Sequence, residues 1–288
     1  MNHLWKLAFS LVALALGQAA SAQSNADWTT PITPFRIADG LYYVGSKDLA
    51  SYLVVTPQGN ILINSSLESS PALIQKSVAQ LGFKYSDIKI LLISHAHSDH
   101  DAGSARVIQE TGAKYMVMEG DVPVVESGGA TDFAYGKSPY PKAKVDRVLH
   151  DGDEVKLGGA VLVAHKTAGH TRGCTTWTMK VKQGGKTLDA VIVGSWNVNP
   201  GFRLVDKPQQ PASYPGIADD YRKTFTVLKA LPCDIFLGAH GAYFNMLDKL
   251  ERAGKTGESV WIDPQGYKAS VAEREQAFET ELHKQQQG

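Results

Sequence analysis

The run Ile88-Lys89-Ile90-Leu91-Leu92-Ile93, apolar but for Lys89, ends on Ser94 and opens at once into His95-Ala96-His97-Ser98-Asp99-His100. A run of isoleucine and leucine of that length reads as a buried strand. The histidines therefore stand where the chain emerges at the edge of a sheet. No other feature constrains the fold as much, because a strand buried along its length must also deliver its end to a site. Alternation lets His95 and His97 point one way, while the following turn can aim Asp99 and His100 at a second point. Imidazole nitrogen and carboxylate oxygen are ligands suited to zinc. A solvated polar loop is the plain alternative, but it gives no reason for this pattern.

The rest of the chain can supply a core around such a strand. Of 288 residues, 43% are hydrophobic and 20% charged, with 29 basic and 29 acidic side chains. That apolar content excludes disorder, and a net charge of zero argues against a dedicated nucleic-acid binder. Residues 1–22 have the anatomy of a secretory signal peptide: a short n-region with His3 and Lys6, an apolar run at 7–16, and Ala20-Ser21-Ala22 before a cut at Gln23. The apolar run is about half the ~20 residues a membrane span needs. The mature chain, residues 23–288, is expected to be one soluble domain exported to a bacterial periplasm, with no membrane anchor after processing. Cys174 and Cys233 are the two cysteines; an oxidising compartment invites a disulfide, but sequence gives neither their distance nor their orientation.

Periodicity divides the chain into two β-rich halves. Strand-like runs at 41–44, 51–56 and 60–64 read as a meander turned at Pro57-Gln58-Gly59, followed by a helix at 70–81. After the buried strand come a helix at 102–112 and a strand at 114–118. The second half shows strand-like runs at 145–149, 161–164, 175–181 and 190–193. A helix follows with Ile217, Tyr221, Phe225, Leu228 and Leu231 on one face, then a strand at 234–237 and a surface helix at 271–282 with Phe278 and Leu282 inward. Two sheets packed face to face with helices outside are expected. Residues 128–142 and 197–215 read as loops near a cleft.

Two further histidines follow strand-like runs: His170 within Ala168-Gly169-His170-Thr171-Arg172-Gly173, and His240 within Gly238-Ala239-His240-Gly241. Six candidate ligands thus divide into two sets of three, leaving each zinc an open position, the mark of a catalytic site. His3, His150, His165 and His283 lack such a setting and read as ordinary histidines. Two adjacent zinc ions can hold one hydroxide, since zinc lowers the pKa of bound water to roughly 7. The chemistry implied is metal-assisted hydrolysis.

H-x-H-x-D-H after a buried strand, with a glycine-flanked histidine and a late histidine, resembles the metallo-β-lactamase superfamily. The resemblance implies an α+β fold, a four-layer αβ/βα sandwich. Lactonases, glyoxalases of the second type and nucleases share the motif. Many of them carry a bridging aspartate where this chain reads Val191-Ile192-Val193-Gly194-Ser195. The first two β-lactamase subclasses carry a cysteine there. Ser195, with His100 as a replacement ligand, is similar to subclass 3 of the class B enzymes. So are Gly169 through Trp177, Asn199-Pro200-Gly201-Phe202, Phe35-Arg36-Ile37, Leu49 through Leu53 and Ser127-Gly128-Gly129. The resemblance implies that His95, His97 and His170 hold one zinc and Asp99, His100 and His240 a second, with Asp99 orienting the hydroxide. It places Ser195 at the substrate carboxylate, directly or through water. Trp28 in the lead, and Tyr135 or Tyr140 in the long loop, are further substrate-contact candidates, with ordinary aromatic packing as the alternative.

There are departures from the family pattern. Asn64-Ser65-Ser66 replaces a buried aspartate at the end of the strand before the first helix, which alters the support of a zinc ligand. The usual partner of a cysteine at position 233 is missing, and Gly266-Tyr267-Lys268 stands there. The expected function is a monomeric, periplasmic dizinc β-lactamase that hydrolyses the β-lactam amide of antibiotics. A lactonase or thioesterase of the same fold is the first alternative, and a non-enzymatic zinc-binding protein the second.

Overall fold

Alternating faces of the buried strands explain the layering. We describe it from a computed structural model covering residues 26–253, 255 and 259–287, so the signal-peptide reading falls outside the described residues. Strands β1 (Phe35–Ala38), β2 (Leu41–Tyr43), β3 (Tyr52–Thr56) and β4 (Gly59–Ile63) form an antiparallel meander. Strands β5 (Ile88–Leu92), β6 (Lys114–Met118) and β7 (Arg147–Leu149) then join in parallel, completing a seven-stranded sheet in sequence order. Parallel neighbours need crossovers. These are helix α1 (Pro71–Gln80), the short α2 (Ser98–Asp101) with α3 (Ser104–Thr111), and α4 (Val122–Ser127).

The second sheet runs β12-β11-β10-β9-β8, from β8 (Glu154–Leu157), β9 (Ala160–Lys166), β10 (Thr175–Gln183), β11 (Lys186–Val193) and β12 (Ile235–Gly238). β11 and β12 are parallel, joined through helix α5 (Ile217–Ala230). Helices α6 (Met246–Ala253) and α7 (Pro264–Gln287) follow.

Period two sends neighbouring side chains to opposite cores. Tyr52, Val54, Ile61, Ile63, Ile90 and Leu92 join Trp177, Met179 and Val181 of β10 in one cluster. Leu53, Leu62 and Leu91, one residue out of phase, join Ile74 and Val78 of α1 and Val107 of α3 in the other. On the far side of the second sheet, Tyr221 and Phe225 of α5 meet Phe278 of α7 at ring separations of 5.2 and 5.8 Å. The result is helix, sheet, sheet, helix, the four-layer α+β sandwich expected. Among the described residues, no helix is long and apolar enough to cross a membrane.

The structure adds elements that periodicity did not reveal. β1 lies just after the proline-containing lead. β8 is a short outer strand with only Val155 buried, turned into β9 by Gly158-Gly159. The helix expected at 102–112 starts at Ser104, after the turn Ala102-Gly103 that follows α2; Gly103 packs there with no room for a side chain, since a Cβ would lie 2.6 Å from Ser65 O. α7 is 24 residues long, far beyond the segment carrying Val271, Phe278 and Leu282, since its flanks are polar and show no periodic stripe. Both cysteines are free; Cys174 is fully buried and Cys233 half-buried.

Among the hydrogen bonds that join the two sheets near their common edge, Tyr52 Oη donates to Gly238 O at 2.7 Å, across 186 positions of sequence. Tyr52 is completely buried. Tyr52→Phe leaves that carbonyl without the phenol and is expected to lower unfolding stability by about 1–2 kcal/mol. Urea denaturation followed by tryptophan fluorescence measures it, and an unchanged midpoint would show that the bond contributes nothing.

Candidate metal centre

The strand ends that carry the candidate ligands are drawn to one edge of the sandwich. His95 and His97 leave the end of β5, and the first turn of α2 carries Asp99 and His100. His170 lies in the connection from β9 to β10, and His240 follows β12. Thr175 N donates to Ser94 O at 2.7 Å and Trp177 Nε1 to Ile93 O at 3.0 Å, pinning the start of β10 to the exit of β5. Ala50 N donates to Ala239 O at 3.0 Å, fixing the approach to His240.

The ligands form two adjacent sets. The rings of His95, His97 and His170 stand 4.7–4.8 Å apart, all three buried, each able to offer a nitrogen within 4.8 Å of the others. His170 Nδ1 donates to Asn197 O at 2.8 Å, which leaves Nε2 as its lone-pair nitrogen. In the second set, His100 Nε2 lies 3.2 Å from both Asp99 Oδ2 and His240 Nε2, and the remaining side is 3.4 Å. Ligands about 2.0–2.1 Å from a tetrahedral zinc stand about 3.3 Å from one another, so this triangle fits the ion. His240 Nδ1 donates to Asp48 Oδ2 at 2.9 Å, again freeing Nε2. His95 also groups with Asp99 and His100, so the two sets share a border.

Electrostatics favour ligation. Burial, reinforced by the neighbouring imidazoles, holds His95 well below its ordinary range and His170 down at about 3, so both stay neutral. A ligating imidazole must be neutral. Burial alone would raise Asp99, but the charge and hydrogen bonds of His100 and His240 hold it well below the carboxylate range. His240 is the exception: burial pulls it down, but hydrogen bonds to Asp48 and Asp99 outweigh it and lift the ring to about 9, so His240 must give up a proton before it can ligate an ion. Five nitrogens and one carboxylate converge without a thiolate, a donor set suited to zinc.

Several supporting residues carried no sequence signal. Asp121, just after β6, accepts from Ala96 N at 2.9 Å, Thr171 Oγ1 at 2.8 Å and Gly173 N at 2.8 Å. It staples the His95–His97 loop to the His170 loop, and burial lifts its carboxyl to about 6. The glycines around His170 have clear reasons: Gly169 has φ +134°, and a Cβ on Gly173 would lie 2.4 Å from Asp121 N. Asn64 does not support an imidazole; its side chain accepts from Ser94 N at 2.7 Å and donates to Ala50 O at 3.0 Å. Asp48 sits 192 positions from His240, so nothing local in the sequence marks the pair.

A cleft of about 350 Å³ lies over the ligands. Trp28 lines it, its Nε1 donating to Asp48 Oδ2 at 3.1 Å and its ring 6.0 Å from that of His240. Tyr135 lines the other side, edge-on to His97 at 4.8 Å, its hydroxyl accepting from Asn199 Nδ2 at 2.9 Å. Tyr140 is placed elsewhere: its hydroxyl donates to Ala96 O at 2.9 Å, bracing the ligand loop and not lining the cleft. Ser195 is 1% exposed and is not among the residues lining the cleft. His150 and His165 are outside the site, paired with Glu119 and Thr178. A larger groove of about 650 Å³, between segment 197–201 and α7, holds none of the six ligands.

Comparison with known proteins agrees with this geometry. The family model of the metallo-beta-lactamase superfamily matches residues 49–240. The native FEZ-1 metallo-beta-lactamase from Legionella gormanii superposes with a TM-score of 0.87 at 53% identity, covering 90% of this chain and 98% of that one. The class B3 di-zinc metallo-beta-lactamase LRA-12 from an Alaskan soil metagenome gives 0.80 at 37% identity, covering 89% and 97%. A hydroxyacylglutathione hydrolase of Polaromonas sp. is 31% identical over 122 residues, 42% of this chain and 38% of that protein. The chain spans about a third of the length of the curated relatives it matches.

Asp121→Asn sets an amide N–H against a backbone or hydroxyl donor whichever way the group turns. It is expected to lower stability by about 1–3 kcal/mol. Chemical denaturation of the metal-free protein measures the effect without contribution from bound ions, and wild-type stability in that variant would remove Asp121 as the staple.

Proposed function

The chain belongs to the metallo-beta-lactamase superfamily, and on that premise we propose that it is an exported, monomeric, dizinc β-lactamase of class B, subclass 3. The observation that carries the reading is the second ligand set. Asp99, His100 and His240 close a triangle at 3.2–3.4 Å, while the end of β11 offers only the set-back hydroxyl of Ser195. Neither an acid nor a thiol from that strand completes the site. FEZ-1 and LRA-12, similar over most of their length, are β-lactamases, and LRA-12 is described as di-zinc. The leader at residues 1–22 supports export to the periplasm.

In this reading His95, His97 and His170 hold one zinc and Asp99, His100 and His240 the other. When bound, zinc supplies a Lewis acid and lowers the pKa of water to about 7, which provides a nucleophile at neutral pH. The chain's own groups do the positioning. Asn197 O fixes the tautomer of His170, and Asp48 fixes that of His240. Asp99 stays ionised and can orient a water proton as well as ligate. Trp28 and Tyr135 wall opposite sides of the cleft and suit a compact, part-apolar bicyclic amide. In the Ser-x-x-Lys run Ser86-Asp87-Ile88-Lys89, Ser86 and Lys89 are exposed at the start of β5, at the opposite end of the strand from His95 and outside the cleft lining, so no acyl-enzyme is expected.

The similarity to a hydroxyacylglutathione hydrolase favours a second reading, a thioesterase or lactonase. It covers a minority of the chain, and the bridging aspartate common outside the β-lactamases is absent at Val193-Gly194-Ser195.

The purified protein is expected to hydrolyse a chromogenic cephalosporin, to lose that activity to a chelator, and to regain it with zinc, while clavulanate has little effect. Faster turnover of an acyl-homoserine lactone or a glutathione thioester would instead favour the second reading. The ligand assignment has its own check in metal counting after equilibrium dialysis. His100→Ala should retain about one zinc, because Asp99 and His240 alone make a weak site, whereas Ser195→Ala should retain two. The opposite pattern would show that Ser195 is a ligand.

A further inference from the structure

Ser195 is the residue that family resemblance places at the substrate carboxylate, yet the fold withdraws it from the cleft. It is 1% exposed, and another hydroxyl stands in front of it: Tyr243 lines the cleft, and its Oη lies 3.1 Å from Ser195 Oγ. Tyr243 belongs to the short 3-10 turn Gly241–Phe244 that follows His240, so the end of β12 delivers both side chains. Its ring lies 5.1 Å from that of His240 and 5.6 Å from that of Trp196.

The hydrogen bonds around the phenol allow its own hydrogen to face the cleft. Asn197 Nδ2 donates to Tyr243 Oη at 3.0 Å. Ser195 Oγ, which itself accepts a long bond from Asn197 N at 3.5 Å, can supply a second donor to the same oxygen. An oxygen accepting from both has its own hydrogen left over, and the open side is the cleft. Asn197 is itself held, since its carbonyl accepts from His170 Nδ1 at 2.8 Å and Tyr221 Oη at 2.6 Å. The phenol is therefore braced from behind by the backbone that also fixes a metal ligand.

An anionic substrate group needs such a donor. No lysine or arginine is among the residues lining the cleft, and the Trp28 N–H is committed to Asp48. Tyr135 stands on the other side, against His97. Beside the second ligand set the cleft lining offers two hydroxyls, Ser98 next to Asp99 in sequence and Tyr243 next to His240, and of these Tyr243 is the one whose oxygen is braced, by Asn197 Nδ2. Resting on the β-lactamase reading, we infer that Tyr243, and not Ser195, presents the hydroxyl that receives the substrate carboxylate. Ser195 and Asn197 act behind it as positioning residues.

The test compares Tyr243→Phe with Ser195→Ala in the zinc-loaded enzyme. Each is assayed on a β-lactam bearing its free carboxylate and on the methyl ester of the same compound. A hydrogen bond to a charged group corresponds to roughly tenfold or more in binding. Tyr243→Phe should raise KM for the acid by roughly that factor with kcat little changed, retain two zincs by elemental analysis, and impose a much smaller penalty on the ester. Ser195→Ala, which removes only the bond behind the phenol, should raise KM by no more than about threefold, since a neutral hydrogen bond is worth less. A larger effect from Ser195→Ala, an unchanged KM in Tyr243→Phe, or an equal penalty on acid and ester would overturn the assignment. Failure of the wild-type enzyme to hydrolyse either compound is a different result, and it refutes the β-lactamase reading on which the assignment rests.

Discussion

A single buried carboxylate holds together the two loops on which the first ligand set depends. Asp121 accepts three hydrogen bonds, one from the loop carrying His95 and His97 and two from the loop carrying His170. In a low-dielectric interior such bonds are strong when complete and costly when one is missing. The contact is possible only because Gly173 carries no side chain, since a Cβ there would overlap Asp121 itself. Three imidazoles then stand within 5 Å of one another, with His95 and His170 held neutral by their burial. The second set is held differently: Asp99 and His100 ride on one helical turn, and His240 is braced from Asp48 across the sheet edge.

Much of this was legible in the chain, and what was not follows a physical pattern. The run before His95 is apolar from Ile90 to Ile93 because β5 has a core on each face there, so it reads as a buried strand despite the exposed Lys89 near its start. The stripe of Tyr221, Phe225 and Leu228 reads as a helix for a similar reason. β8 escaped because an outer strand buries only one side chain in four. In the site, the ligands announced themselves through spacing and glycine context. Asp48, Asp121 and Tyr243 did not, because each acts through a partner far away in sequence and sits in no repeating pattern. Resemblance singles out Ser195, at the end of β11, but carries no sign of the Tyr243 hydroxyl that lies 3.1 Å from it.

The six ligands also divide by origin. Five of the candidates come from the segment after β5 or from the β9–β10 connection, next to the contacts of Asp121, Thr175 and Trp177 that join the two sheets, and only His240 comes from the end of β12. Sheet packing and site geometry are thus one problem, and the Tyr52–Gly238 bond belongs to both. Preorganisation of this kind is what a catalytic metal site requires, since supporting shells set ligand direction and metal affinity.

Asp48 shows what such economy implies for variation. Its Oδ2 accepts from both the indole of Trp28 and the imidazole of His240, so one atom serves the wall of the cleft and a ligand at its floor. A change at this position is necessarily pleiotropic: the chain cannot explore a wider mouth there without also disturbing its hold on an ion. Tyr135 is held more loosely, touching His97 only edge-on at 4.8 Å and making no hydrogen bond to a ligand. Its ring is 43% exposed, and its hydroxyl bonds only to the side chain of Asn199. The geometry therefore partitions the site into a frozen side and an adjustable one, and new substrate shapes are more accessible to this protein by drift along the Tyr135 loop than by any change beneath Trp28.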